Sequence, residues 1–120
     1  MNEFKIYQVK DEHIREYGYA SMRELLWTHH AEPVPDSDAF SLPCDIYELV
    51  YTYRTEKEPS LDWLYDLFNR NIYSRFSSLK VSTPDDFTGH SMSVSDIIET
   101  PGGQLWFCDS MGWKKVQWES

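Results

Sequence analysis

The stretch that decides the fold is DIIETPGGQLWFCDSMGWKKVQW, Asp96–Trp118. Ile97–Thr100 and Gln104–Asp109 are short runs of apolar and β-forming residues around a Pro-Gly-Gly turn, the pattern of a β-hairpin. In Gly112–Trp118, Trp113, Lys115 and Gln117 alternate with Lys114, Val116 and Trp118, as in a strand. Asp109, Ser110 and Gly112 make the turn that leads into it. Three strands joined by connections this short must run antiparallel. The C-terminal third therefore predicts an antiparallel sheet, and the rest of the chain must supply what covers it.

Working outward, EFKIYQV (Glu3–Val9) places Phe4, Ile6 and Gln8 on one side and Lys5, Tyr7 and Val9 on the other, which predicts a strand. Ser21 with Glu24 three residues on forms a capping box, and Met22, Leu25 and Leu26 give a short apolar stripe. Together they predict a helix over Met22–Thr28. AEPVPDSDAFSLPCD carries three prolines and reads as a loop. In Ile46–Arg54, alternation sets Ile46, Glu48, Val50 and Thr52 against Tyr47, Leu49, Tyr51 and Tyr53, so an aromatic face should meet a helix. Ser60 caps that helix. Leu61, Leu64, Tyr65 and Phe68 share one side of it, with Asp62 and Asp66 on another. The expected order is β-α-β-α-β-β-β. Residues 1–120 should form one α+β domain, a mostly antiparallel sheet with two helices packed on one face.

The net charge of −9 is unevenly placed. Residues 1–23 balance, and residues 67–120 carry only one excess acid. Residues 24–66 hold ten acids against Arg54 and Lys57. Such a field repels phosphates, so direct nucleic-acid binding is disfavoured. It suits solubility, or a basic protein partner. Cys44 and Cys108 are expected to be free thiols. His29, His30 and Cys44 lack the close pairing typical of zinc ligands, and no metal or cofactor is implied. No apolar run reaches the roughly 20 residues of a membrane span. The first residues lack a signal-peptide layout, so a soluble, cytoplasmic protein is expected.

GHSMSVSDIIE (Gly89–Glu99) combines His, Ser and Asp and raises the question of catalysis. A triad needs the His between an exposed nucleophile and a carboxylate, and no G-x-S-x-G elbow is present. Turn chemistry explains the block better. Gly89 supplies a permissive backbone position, and Ser91, Ser95 and Asp96 bond nearby amides ahead of a buried strand. His90 satisfies backbone groups beneath it, and Asp109 and Gly112 repeat the same logic at the last turn. No catalytic residue is assigned.

FKIYQVK, YELVYTY, PDDFTGHSMSVSDII and FCDSMGWKKV occur in the order seen in YodL-like domains, which the chain resembles over most of its length. The specific parts are G-H-S…S-D and D-S-x-G-W. RNIYSRFSSLKVST, residues 70–83, departs from the spacing expected before PDDF. The resemblance implies no chemistry. It implies a setting on conjugative and related mobile elements of Gram-positive bacteria, where restriction enzymes and CRISPR nucleases are the hazard. The chain also resembles small acidic anti-CRISPR proteins carried by such elements.

Three functions follow as expectations. The first is a non-catalytic inhibitor of a Cas9-type nuclease that occupies its basic nucleic-acid channel. It would use Glu32, Asp36, Asp38, Glu56, Glu58, Asp62 and Asp66. The second is an accessory protein-binding module of a conjugative element. The third is a small nuclease acting on guide RNA through His90 with Asp86 and Asp96, which the net charge opposes.

Overall fold

The structure is a computed structural model. It describes residues 1–18, 26, 32–34, 37, 39–69, 84, 86–89, 92–109 and 112–118, and only the backbone of Ile14, Tyr17, Glu32 and Pro33. The elements run β1 (Asn2–Val9), α1 (Asp11–Tyr17), β2 (Glu32–Pro33), β3 (Phe40–Leu42), a 3-10 turn (Cys44–Ile46), β4 (Tyr47–Thr55), α2 (Leu61–Phe68), β5 (Ile97–Glu99), β6 (Leu105–Asp109) and β7 (Gly112–Trp118). They build one seven-stranded sheet in the order β2-β3-β7-β6-β5-β1-β4. All neighbours are antiparallel except β3 and β7. The α+β class and the mostly antiparallel sheet are as the sequence predicts.

The hairpins form where expected. The Thr100 amide donates to the Gln104 carbonyl at 2.8 Å, and the Gly103 amide to the Thr100 carbonyl at 3.0 Å. Gly102 and Gly103 hold φ values of 104° and 88°, which side-chain-bearing residues avoid. The Ser60 hydroxyl accepts the Trp63 amide at 3.1 Å and caps α2.

α2 lies on a face made by Phe4, Ile6 and Ile98, with Leu64, Leu67, Phe68, Phe87 and Met92 completing the core. Phe68 and Phe87 meet edge-on at 4.9 Å, and Tyr51 packs tilted and Tyr53 edge-on against Phe68 at 5.5 and 5.7 Å. The opposite face is also buried. Val9, Leu26, Leu42, Tyr47, Ile97, Leu105, Phe107 and Val116 form a second core there, with Tyr7, Ile46 and Trp118 at its rim.

Strict alternation along β4 fails at one point. Ile6 pairs with Tyr51 and Tyr7 with Leu49, so Val50 is an extra residue opposite β1. At such a bulge two consecutive side chains turn to the same face. Val50 and Tyr51 accordingly both pack against the α2-side core, while Tyr47 enters the other one. The aromatic face of β4 meets a helix through Tyr51 and Tyr53, without Tyr47.

Two further corrections concern connections. α1 occupies a segment to which no element is assigned from the sequence alone: Asp11 and Glu12 in its first turn and Arg15 in its last complement the helix dipole. Gly18, at φ 77°, follows its end. Seven residues with one aliphatic side chain are too few to show a period. The proline-rich segment is not all loop, because β3 is recruited by the edge of β7, with Phe40 opposite Val116 and Leu42 opposite Trp118. That pairing is long-range and leaves no local pattern. Of the helix expected at Met22–Thr28, only Leu26 is among the described residues. Both cysteines are free thiols, Cys44 exposed and Cys108 buried.

Candidate functional site

The serine-rich block delivers the chain into β5 through a tight turn. The Asp96 amide donates to the Ser93 carbonyl at 3.2 Å, and the Ser93 amide donates back to Asp96 Oδ2 at 2.9 Å. Ser95, the third residue of this turn, holds φ 79°, rare for a residue with a side chain. Its strain is held by three bonds. The Ser95 amide donates to the Cys108 carbonyl at 2.8 Å, the Cys108 amide to the Asp96 carbonyl at 2.8 Å, and the Tyr47 hydroxyl to the Ser95 carbonyl at 2.6 Å.

Asp96 is fully buried, and Gln8 Nε2 donates to its Oδ2 at 3.1 Å. Burial pushes the Asp96 carboxyl well above the usual carboxylate range, while the bonds from Ser93 and Gln8 pull the other way. Asp96 Oδ1 and the Ser95 hydroxyl have no hydrogen-bond partner among the described residues. Burial, and then the charge of Asp96, raise the Tyr47 hydroxyl well above its ordinary value.

Gly89 stands against the other side of Gln8. A β-carbon there would lie 2.5 Å from Gln8 Oε1 and 3.0 Å from the Phe87 ring. Its role is close approach; the unusual backbone angle expected at Gly89 belongs to Ser95. Gly89 also lines a groove of about 420 Å³ with Gln8, Asp11, Glu48, Leu49, Val50 and Thr88. Gln8 thus separates this groove from the buried Asp96. Ser95 and Asp96 are enclosed and bonded as a turn, while His90 and Ser91 lie outside the described residues. At the last turn Asp109 pairs with Gly112, which holds φ 125°, and the Asp109 carboxylate lies 3.6 Å from Lys114 Nζ.

The described acidic candidates differ in exposure. Glu56, Glu58 and Asp62 are exposed around the end of β4 and the start of α2. Asp62 accepts the Trp113 indole N–H at 3.1 Å, which ties this end of α2 to β7. Asp66, expected on the outer side of α2, is 5% exposed. A helical wheel assumes one covered side, yet the last turn of α2 is enclosed: Leu64, Asp66, Leu67 and Phe68 are all buried. The backbone of Glu32 lies in β2, and Asp36 and Asp38 are outside the described residues. Sequence reasoning missed Gln8 as a functional neighbour of Asp96. Its one sign was a polar residue on the apolar side of β1, in step with Phe4 and Ile6.

A sheet cored on both faces and pinned by a buried glutamine–aspartate bond defines a small α+β domain. Residues 3–118 match the YodL-like domain family, and the chain belongs to it. No curated protein and no solved structure matches the chain at a significant level. Among the described residues, no helix is long and apolar enough to cross a membrane.

Proposed function

We propose that this YodL-like protein is an anti-defence factor of a mobile element, acting in the cytoplasm. In this reading it is a non-catalytic inhibitor that binds a Cas9-type CRISPR nuclease and blocks guide RNA or DNA binding. The observation that carries the reading is the charge segregation, ten acids against two bases in residues 24–66. Guide and target lie in a positively charged channel of such nucleases. A small acidic domain competes there with phosphate, and long-range attraction speeds its encounter. The exposed carboxylates of Glu56, Glu58 and Asp62, fixed at the junction of β4 and α2, belong to the described part of that surface. Glu32, Asp36 and Asp38 are its proposed continuation. Enclosure of Ser95 and Asp96 inside a bonded turn favours a structural role for that block over catalysis.

The test is competition. Labelled guide RNA is titrated with a Cas9-type nuclease with and without this protein, at low and physiological salt. Displacement that weakens as salt rises supports the reading. Undiminished guide and target binding at saturating protein overturns it. Shortening of bare guide RNA by the protein alone would establish a nuclease instead.

A further inference from the structure

β4 ends the sheet, and the order of strands leaves it paired on one side only, with β1. Among the described residues, no strand covers its outer edge. A nine-residue edge is a ready template for another extended chain, because its outward amides and carbonyls have no ladder partner among the described residues. Beside that edge, Asp11 and Glu48 line the 420 Å³ groove, and neither carboxylate has a partner among the described residues. Leu49, next to Glu48, is 50% exposed and, with Met1, is one of the two large apolar side chains left in solvent among the described residues.

We propose that the outer edge of β4 is a docking strand for an extended, Lys- or Arg-bearing segment of the partner. This rests on the reading that the partner is a basic protein. Main-chain pairing along β4 provides the affinity, and side chains provide the selection. Glu48 shares the face of Gln8 and Ile6, and there, with Asp11, it receives a cationic side chain at the groove. Leu49 shares the opposite face with Tyr7 and receives an apolar one.

A second copy of this chain fits the edge less well. Antiparallel pairing of two copies about Tyr51 brings Glu48 level with Arg54. The bulge at Val50 resets the alternation, so Glu48 lies on the face of Gln8 and Arg54 on the face of Glu3. The opposite charges then sit on opposite sides of the sheet, and two copies each of charge −9 repel.

The probes are three fluorescein-labelled ten-residue peptides with alternating sequences: Lys and Val, Glu and Val, and Lys and Pro. The Lys-Pro peptide keeps the charge but loses every second main-chain donor and holds those residues at a φ of about −65°, which disfavours an extended ladder. Anisotropy titrations of the whole protein should show saturable binding of Lys-Val, with both controls weaker by about tenfold or more. The E48K/L49K protein, its fold checked by circular dichroism, should lose about tenfold for the Lys-Val peptide and for the nuclease alike. Equal binding of Lys-Pro and Lys-Val overturns the proposal in favour of charge alone, and no binding of Lys-Val overturns it outright. A dimer in sedimentation that L49K abolishes also overturns it, in favour of a second copy. If the nuclease binds wild type and E48K/L49K equally, this inference fails and the proposed function stands. If Lys-Val binds and the nuclease does not, the proposed function fails and the docking strand stands.

Discussion

Gln8 and Asp96 lie 88 residues apart in sequence and share a buried hydrogen bond of 3.1 Å. One side chain comes from the first strand and the other from the turn before β5, so the bond joins the N-terminal strand to the C-terminal hairpin system. The Asp96 carboxylate also holds the Ser93 amide, making one oxygen the anchor of a strained turn and of a strand crossing.

Asp96→Ala strands two donors in the interior. Leaving a buried donor unsatisfied costs about 1–3 kcal/mol, so the variant should lose at least that much stability. Urea denaturation followed by tryptophan fluorescence measures it. A variant as stable as wild type would remove Asp96 from its anchoring role.

The pH dependence follows from the raised carboxyl of Asp96. The folded protein keeps a proton that the unfolded chain, with a carboxyl near 3.8, gives up. This group's stabilising contribution is fully present below that unfolded value and is lost as pH rises through the higher folded value. Asp96→Asn stays neutral and should flatten the profile. Melting temperature is measured for both proteins from about pH 4 to 8, a range that starts at the unfolded value. The difference between wild type and variant should change in the direction of a relative gain for Asn as pH rises. A constant difference would show that Asp96 does not titrate across this window.

Gly89→Ala places a methyl group 2.5 Å from Gln8 Oε1, where the side chain is only 1% exposed and already bonded to Asp96. Gln8 cannot yield without breaking that bond. Overpacking of this kind costs about 1–3 kcal/mol. Combining Gly89→Ala with Gln8→Ala should recover part of the loss relative to the sum of the single effects, since the clash is shared. Additive effects would separate the two residues.

Charge reversal at the exposed end of α2 tests the acidic surface. Glu56→Lys, Glu58→Lys and Asp62→Lys together should weaken nuclease binding by about tenfold or more while changing stability little, because exposed charges contribute about 0–1 kcal/mol. Asp62→Asn is the control for its bond to Trp113. Asp66→Lys should instead unfold the protein, since it buries a cation in the closed last turn of α2. Binding by the triple variant as tight as wild type would shift the contact elsewhere on the surface.

The sequence by itself determined the elements whose cause is local. Pro-Gly-Gly makes the β5–β6 turn whatever surrounds it, Ser60 caps the helix that follows it, and the spacing of Leu61, Leu64 and Phe68 selects the buried side of α2. The uneven charge is likewise a property of the chain alone, as is the family to which its motifs point. Tertiary structure decided whatever depends on residues far apart in the chain. β3 is a strand because β7 offers an edge to it, and Val50 is a bulge because β1 and β4 differ by one residue in length across their pairing. Asp66 is buried in the enclosed last turn of α2, a burial that no helical period encodes. Gln8 reads as one polar residue in an apolar row until folding brings Asp96 beside it. A hydrogen bond across 88 residues has no sequence period, because its partners are set by the path of the sheet and not by the repeat of any one strand.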